Sequence, residues 1–203
     1  TIKYKKIMNL DNFKKLLNTN GWAKFKIKDY DKFTLLQSHI IEGLKKNKTI
    51  KEEFNKLYIN SVIELRQKSS LLSDQVINLI RKEYIDDLSY HSINCFSEYI
   101  IPLFGNKLLS QKFPQIQINI PSNNSTKTPP HTEVMAGHSP YTYNFWIPLH
   151  KVEGNSGLYL VDLNKSIEIC DIEIEGISIG ESLLNFFSEN EILEGLNKDY
   201  YNS

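Results

Sequence analysis

The segment Gln115-Ile116-Gln117-Ile118-Asn119-Ile120 alternates polar and apolar residues without a break. Because successive side chains of a strand point to opposite faces, this alternation predicts a half-buried β-strand. Four further segments have the apolar, aromatic or alternating content of strands, with turn residues between them: residues 141–149, 157–161, 167–174 and 182–187. Strands at this spacing favour a sandwich or barrel over a parallel sheet with crossover helices.

The first hundred residues have a helical pattern instead. Apolar residues recur there at intervals of three and four, from Asp31 to Leu44, from Ile50 to Lys68 and from Ser73 towards Pro102. Ser73 is the predicted N-cap of the last stretch. From Ala23 to Ile27, apolar residues alternate with lysines, which predicts one early strand.

Length and composition fit one globular domain. The chain has 203 residues, of which 40% are hydrophobic and 24% are charged. We expect a single α+β domain over residues 1–203, with a mainly helical support at 1–112 packed outside a β core at 113–203. The 24 basic residues balance 24 acidic ones, so no basic field of the whole molecule predicts a nucleic-acid partner.

Cysteine content and hydropathy predict a soluble, cytoplasmic protein. Two cysteines are too few for a secreted scaffold built on disulfides, and Cys95 lies in an apolar helical stretch that predicts burial. No apolar run approaches the roughly 20 residues that span a bilayer. The first residues have no apolar core of the signal-peptide type, so we expect no membrane partner.

Two potential metal ligands stand two residues apart in Pro130-His131-Thr132-Glu133. On a strand, His131 and Glu133 would point to the same face. An imidazole and a carboxylate are two of the three ligands in the facial triad that holds non-haem iron, with positions open for oxygen and substrate. Because so short a motif often occurs by chance, only the surrounding sequence can indicate whether His131 and Glu133 bind a metal.

That context resembles a known family. The segment Tyr143-Asn144-Phe145-Trp146-Ile147-Pro148-Leu149 follows the pair, then Gly154-Asn155-Ser156-Gly157, and Asn20-Gly21-Trp22 stands near the start. Together they resemble the phytanoyl-CoA dioxygenase-like branch of the iron(II)/2-oxoglutarate oxygenases, especially the small oxygenases found beside bacterial surface-carbohydrate genes. The resemblance implies a double-stranded β-helix of the jelly-roll, cupin-like type. It also implies Fe(II) and 2-oxoglutarate as cofactors, and hydroxylation of a small polar metabolite such as an activated sugar.

The resemblance also implies site residues. His131 and Glu133 would be the catalytic metal ligands, and Glu194 stands where the family has its distal histidine. Tyr143 and Trp146 either fill the barrel or lie near the cofactor, where the family places an aromatic residue.

The alternating segment supplies two further candidates for the pocket. Gln117 and Asn119 face either the barrel interior, as polar groups that bind the cofactor, or the solvent. Sequence pattern alone leaves both orientations open.

Departures from the family pattern leave alternatives open. The family normally has aspartate at Glu133 and histidine at Glu194, so the ligand set would be His/Glu/Glu unless His138 supplies the third ligand. The chain holds only two arginines, Arg66 and Arg81, and neither is at the family's position for gripping 2-oxoglutarate. A lysine or hydroxyl groups would orient that carboxylate less rigidly, so we expect weak 2-oxoglutarate affinity. The alternatives are a metal-dependent isomerase, lyase or hydrolase on the same barrel, or a non-catalytic relative.

Overall fold

The computed structural model describes residues 10–105, 107–120, 142–152, 158, 160 and 163–164. These residues form seven α-helices in chain order: α1 Leu10–Asn20, α2 Tyr30–Leu44, α3 Lys48–Lys56, α4 Val62–Lys68, α5 Asp74–Lys82, α6 Leu88–Cys95 and α7 Ser97–Phe104. A short 3-10 helix, Ser69–Leu71, follows α4. None of the helices in this part of the chain is long and apolar enough to cross a membrane.

Capping side chains explain where four of the helices begin. Asp29 precedes α2, Asn47 precedes α3, Ser61 precedes α4 and Ser73 precedes α5. Each side chain accepts a hydrogen bond from a backbone N–H in the first turn, which would otherwise have no partner within the helix. The predicted N-cap at Ser73 is confirmed.

The described residues fall into two compact units. The first, here called the helical unit, contains residues 24–105, 107–120 and 149–151. Its most deeply buried side chains come from three helices and one loop, and they are Leu36, Leu44, Ile50, Phe54, Ile59, Ile77 and Ile80. Within this unit, α2 packs mainly against α6, and α3 packs against α5.

The second unit contains, among the described residues, 10–23, 142–148, 152, 158, 160 and 163–164. Helix α1 belongs to it, with Phe13 buried on its inner face. Gly21 ends this helix with φ +79°, a conformation that glycine adopts at little cost. The single-domain boundary of 1–203 stays a prediction.

The predicted double-stranded β-helix is wrong, because the described residues form seven α-helices and contain no β-strand. Two of the predicted strands fall wholly in this part of the chain. At residues 115–120 the burial does alternate, since Ile116, Ile118 and Ile120 are buried and the polar residues between them are exposed. No strand lies beside them among the described residues. Instead, Arg81 of α5 donates a hydrogen bond from Nη2 to the carbonyl of Ile118, at 3.1 Å.

The early segment shows the same replacement of a sheet neighbour by a helix. Phe25 and Ile27 are half-buried between exposed lysines, as the alternation predicts. The ring of Phe25 packs on that of Tyr99 in α7, with centroids 4.5 Å apart. The Tyr99 hydroxyl donates to the carbonyl of Lys26 at 3.0 Å. The alternation at residues 23–27 therefore indicated correctly that one face is buried. The neighbour that packs on this face and donates the hydrogen bond is helix α7, not a second strand.

Candidate functional site

The residues predicted to bind metal lie outside the described residues. This holds for His131, Glu133 and Glu194, and for the alternative ligand His138. Their role as ligands stays a prediction from sequence. Among the residues that the structure describes, no group of three or more His, Cys, Asp or Glu side chains is arranged to hold a metal ion.

Gln117 and Asn119 are on the exposed side of their segment. Ile116, Ile118 and Ile120 occupy its buried side. The Gln117 amide donates from Nε2 to Oε1 of Gln115 at 3.2 Å, so two exposed side chains of this face bind each other. Of the two orientations that the sequence left open, the structure has the one towards solvent.

The aromatic residues of the Trp-x-Pro-Leu segment are also exposed. Tyr143 is 58% exposed and Trp146 is 48% exposed. Side chains with this exposure do not fill an interior, so the barrel-filling interpretation does not apply to them. They remain accessible to a ligand.

The end of this segment is held by a core helix. The carbonyl of Leu149 accepts a hydrogen bond from Nε2 of Gln37 in α2, at 2.7 Å. Gln37 stands beside Leu36, which is 1% exposed, so the donor is carried by a helix that the core fixes in place. No sequence pattern indicated this bond, because its two partners are 112 positions apart.

A pair of histidines also meets inside the helical unit. His39 of α2 and His91 of α6 have ring centroids 4.2 Å apart, with ring planes inclined at 40°. Nε2 of His39 lies 2.6 Å from the carbonyl oxygen of Asp86. Because a carbonyl can only accept, this nitrogen carries the proton. Both residues lie on predicted helices, but nothing in their spacing indicated that they would meet.

The surroundings of this pair alter the pKa of His91. Burial lowers the pKa most, and the neighbouring His39 lowers it further. The Asp87 carboxylate acts in the opposite direction, but the net pKa of His91 is below the ordinary histidine value. His91 is therefore held in its neutral form more strongly than a free histidine.

Cys95 lies on the same helix and is buried, as the sequence predicts. Its Sγ donates to the carbonyl of Lys32 in α2 at 3.2 Å. Burial is the main reason that the pKa of its thiol is raised, and Asp29 adds to the increase. The thiol is therefore a packed, protonated group.

Comparison with known proteins adds no relative. No protein-family model, no curated protein and no solved structure matches this chain.

Proposed function

We propose that this chain is an iron(II)/2-oxoglutarate-dependent oxygenase that hydroxylates a small polar metabolite. The observation that carries the proposal is the His131-Thr132-Glu133 motif, followed by Trp146-Ile147-Pro148-Leu149 at the spacing of that family. An imidazole and a carboxylate form a donor set that suits iron(II). The proposal takes these ligands from the sequence and does not include the β-helix.

The ligand set defines what each residue would do. His131 as a neutral imidazole and Glu133 as a carboxylate would hold the metal on one side and leave positions open opposite them. Glu194, or His138 in its place, would complete the protein ligands. Dioxygen would be the oxidant for hydroxylation, bound iron would activate it and 2-oxoglutarate would supply the two electrons that the substrate does not, while the protein orients the substrate and limits access of water.

The substrate class and the compartment complete the proposal. A small polar substrate, such as an activated sugar, follows from the resemblance to oxygenases of surface-carbohydrate gene clusters. A cytoplasmic location is supported by the presence of only two cysteines, which a reducing compartment permits.

Iron binding by matched variants tests the ligand assignment. The purified protein is loaded with Fe(II) under nitrogen, freed of unbound metal, and assayed for iron per chain. We expect one iron in the wild type and in His150→Ala, because His150 lies outside the motif. We expect loss of iron in His131→Ala and in Glu133→Ala. Full iron binding by His131→Ala would contradict the assignment, and a wild type that binds no iron would favour a non-catalytic relative.

The same assay identifies the third ligand. Glu194→Ala and His138→Ala each remove one candidate carboxylate or imidazole. We expect Glu194→Ala to lower iron affinity and His138→Ala to leave it unchanged. The reverse result would assign the third position to His138.

A further inference from the structure

The His39–His91 contact joins two helices that differ in how firmly they are held. Helix α2 has fifteen residues and contributes several side chains to the core. Helix α6 has eight residues, and its N-cap residue, Asp87, makes no capping hydrogen bond through its side chain. Asp87 also has φ 57°, a left-handed conformation that is strained for a residue with a Cβ atom. Because short helices depend on tertiary packing, α6 is the element that can separate locally.

Charge at the pair opposes this packing when the histidines are protonated. Two imidazolium rings with centroids 4.2 Å apart repel each other in a half-buried site. Asp87 is the one acidic side chain that acts on His91 from the adjoining turn. The carboxylate of its neighbour Asp86 is 3.3 Å from Nζ of Lys46 in an exposed ion pair.

The other groups around α6 do not alter the repulsion between the two imidazolium rings or its partial compensation by Asp87. Among the charged side chains that the structure describes, His39 and Asp87 are the ones that act on the pKa of His91. The Tyr90 ring packs against that of His91 edge-on, with centroids 5.4 Å apart. The charged residues on the elements packed against α6 have partners or are exposed: Lys32 with Asp29 at 3.5 Å, Glu98 with Lys28 at 3.2 Å, and Asp31 and Glu42 exposed.

We propose that the His39–His91 contact makes the packing of α6 on α2 acid-sensitive, so that protonation of both imidazoles separates α6 locally from α2. The same helix carries Cys95, which is 3% exposed and whose Sγ bonds to the α2 backbone. Separation of α6 from α2 would therefore expose the Cys95 thiol. The rate at which a reagent modifies Cys95 reports the opening.

Proton linkage gives the direction of the effect. In the packed state a second proton on the pair is disfavoured, because the two imidazolium rings would repel each other and because burial lowers the pKa of His91. Separation removes both effects, so the opened form binds more protons than the packed form as the pH falls. One extra proton is the most that repulsion within a pair can exclude, so the opening equilibrium changes by at most about tenfold per pH unit.

Thiol modification of a Cys170→Ser protein measures this opening, because Cys95 is then the remaining cysteine. The rate of reaction with 4,4′-dithiodipyridine is recorded at pH 7.5, 6.5, 6.0 and 5.5. At each pH, the rate for the same protein unfolded in urea is divided by the rate for the folded protein. This ratio cancels the intrinsic pH dependence of the thiol. The ratio is the protection of Cys95 by packing.

The variants separate the histidine pair from other titrating groups. His39→Gln removes one imidazole and retains an amide that can donate to the Asp86 carbonyl, and His91→Gln removes the other imidazole. His150→Gln is the matched control. We expect protection to fall several-fold, by up to about tenfold, between pH 6.5 and 5.5 in the wild type and in His150→Gln, and to fall clearly less in the two pair variants, in which the repulsion between the imidazolium rings is absent. Constant protection in the wild type would overturn the proposal, as would an equal fall in His39→Gln and His91→Gln.

Discussion

Gly43 and Ile85 approach so closely that no side chain fits between them. A Cβ atom built on Gly43 would lie 2.6 Å from Cγ2 and 2.9 Å from Cγ1 of Ile85. Both residues are buried, and Gly43 lies within α2. The glycine therefore sets the distance between α2 and the segment that leads into α6.

Gly43→Ala is predicted to destabilise the protein although alanine is the better helix former. The added methyl group would overlap Ile85, whose branched side chain is stiff at χ1. Overpacking of a core costs about 1–3 kcal/mol, against a gain of about 1 kcal/mol from helix propensity, so we expect a net loss of up to about 2 kcal/mol in the free energy of unfolding measured with urea. Ser38→Ala, at an exposed position of the same helix, is the control and should change stability by less than about 0.5 kcal/mol.

A double-variant cycle checks the cause. In an Ile85→Ala background the clashing carbons are gone, and the Gly43→Ala change should cost nothing further. If Gly43→Ala destabilises both backgrounds equally, contact with Ile85 is not the reason for the glycine.

Asn47 is predicted to stabilise α3 in two ways at once. Its side-chain oxygen accepts from the N–H groups of Thr49 and Ile50, and its Nδ2 donates to Oε2 of Glu83 at 2.8 Å. Asn47→Ala removes both and should lower the free energy of unfolding by about 1–2 kcal/mol.

Asn47→Asp separates the two contributions. The aspartate keeps the cap but places a carboxylate against Glu83, so we expect a loss of stability at low salt that 1 M NaCl partly restores. A loss independent of salt would mean that Glu83 does not contribute through charge. Urea unfolding of Asn47→Asp and of the wild type at both salt concentrations measures this loss of stability.

Glu64 is predicted to make stability depend on pH in the acid range. A backbone hydrogen bond from the N–H of Asn60, at 2.7 Å, is the main reason that its pKa is lowered. A carboxylate with a lowered pKa stabilises the folded state above the pKa of the unfolded chain, and that stability is lost as pH falls through the folded-state pKa. We expect Glu64→Gln to have a lower melting temperature than the wild type at pH 7 and an equal one at pH 3. Glu52→Gln, on the exposed face of α3, is the control and should show a smaller difference. A Glu64→Gln difference that persists at pH 3 would show that charge is not its cause.

The helical part of the fold could be predicted because its signals are local. Ser73 caps α5 through an N–H three residues away, and the pattern from Asp31 to Leu44 places its apolar residues on one side of α2. Such features depend on neighbours within one or two turns. The same holds for the burial of Cys95, which an apolar helix face predicts.

The strands predicted at 23–27 and 115–120 are wrong because alternation reports one buried face and does not identify what covers it; the strands predicted at 167–174 and 182–187 lie outside the described residues, as does most of 157–161. For Ile118 the partner is the guanidinium of Arg81, and for Phe25 it is the ring of Tyr99, both carried by helices. A ladder needs a second strand, which a single segment cannot encode. The pairing of His39 with His91 was equally hidden, since it depends on how α2 and α6 pack. The roles of His131, Glu133 and Glu194 stay predictions.

Binding of 2-oxoglutarate to the iron-loaded protein tests the oxygenase proposal most directly. Under nitrogen, 2-oxoglutarate is titrated into the Fe(II) protein, and the visible charge-transfer band from the metal to the chelating ligand is recorded. Because the band requires iron and 2-oxoglutarate in one site, we predict that it appears in the wild type and in His150→Ala and is absent in His131→Ala. An iron-loaded wild type that shows no band at saturating 2-oxoglutarate would contradict the account, as would an unchanged band in His131→Ala.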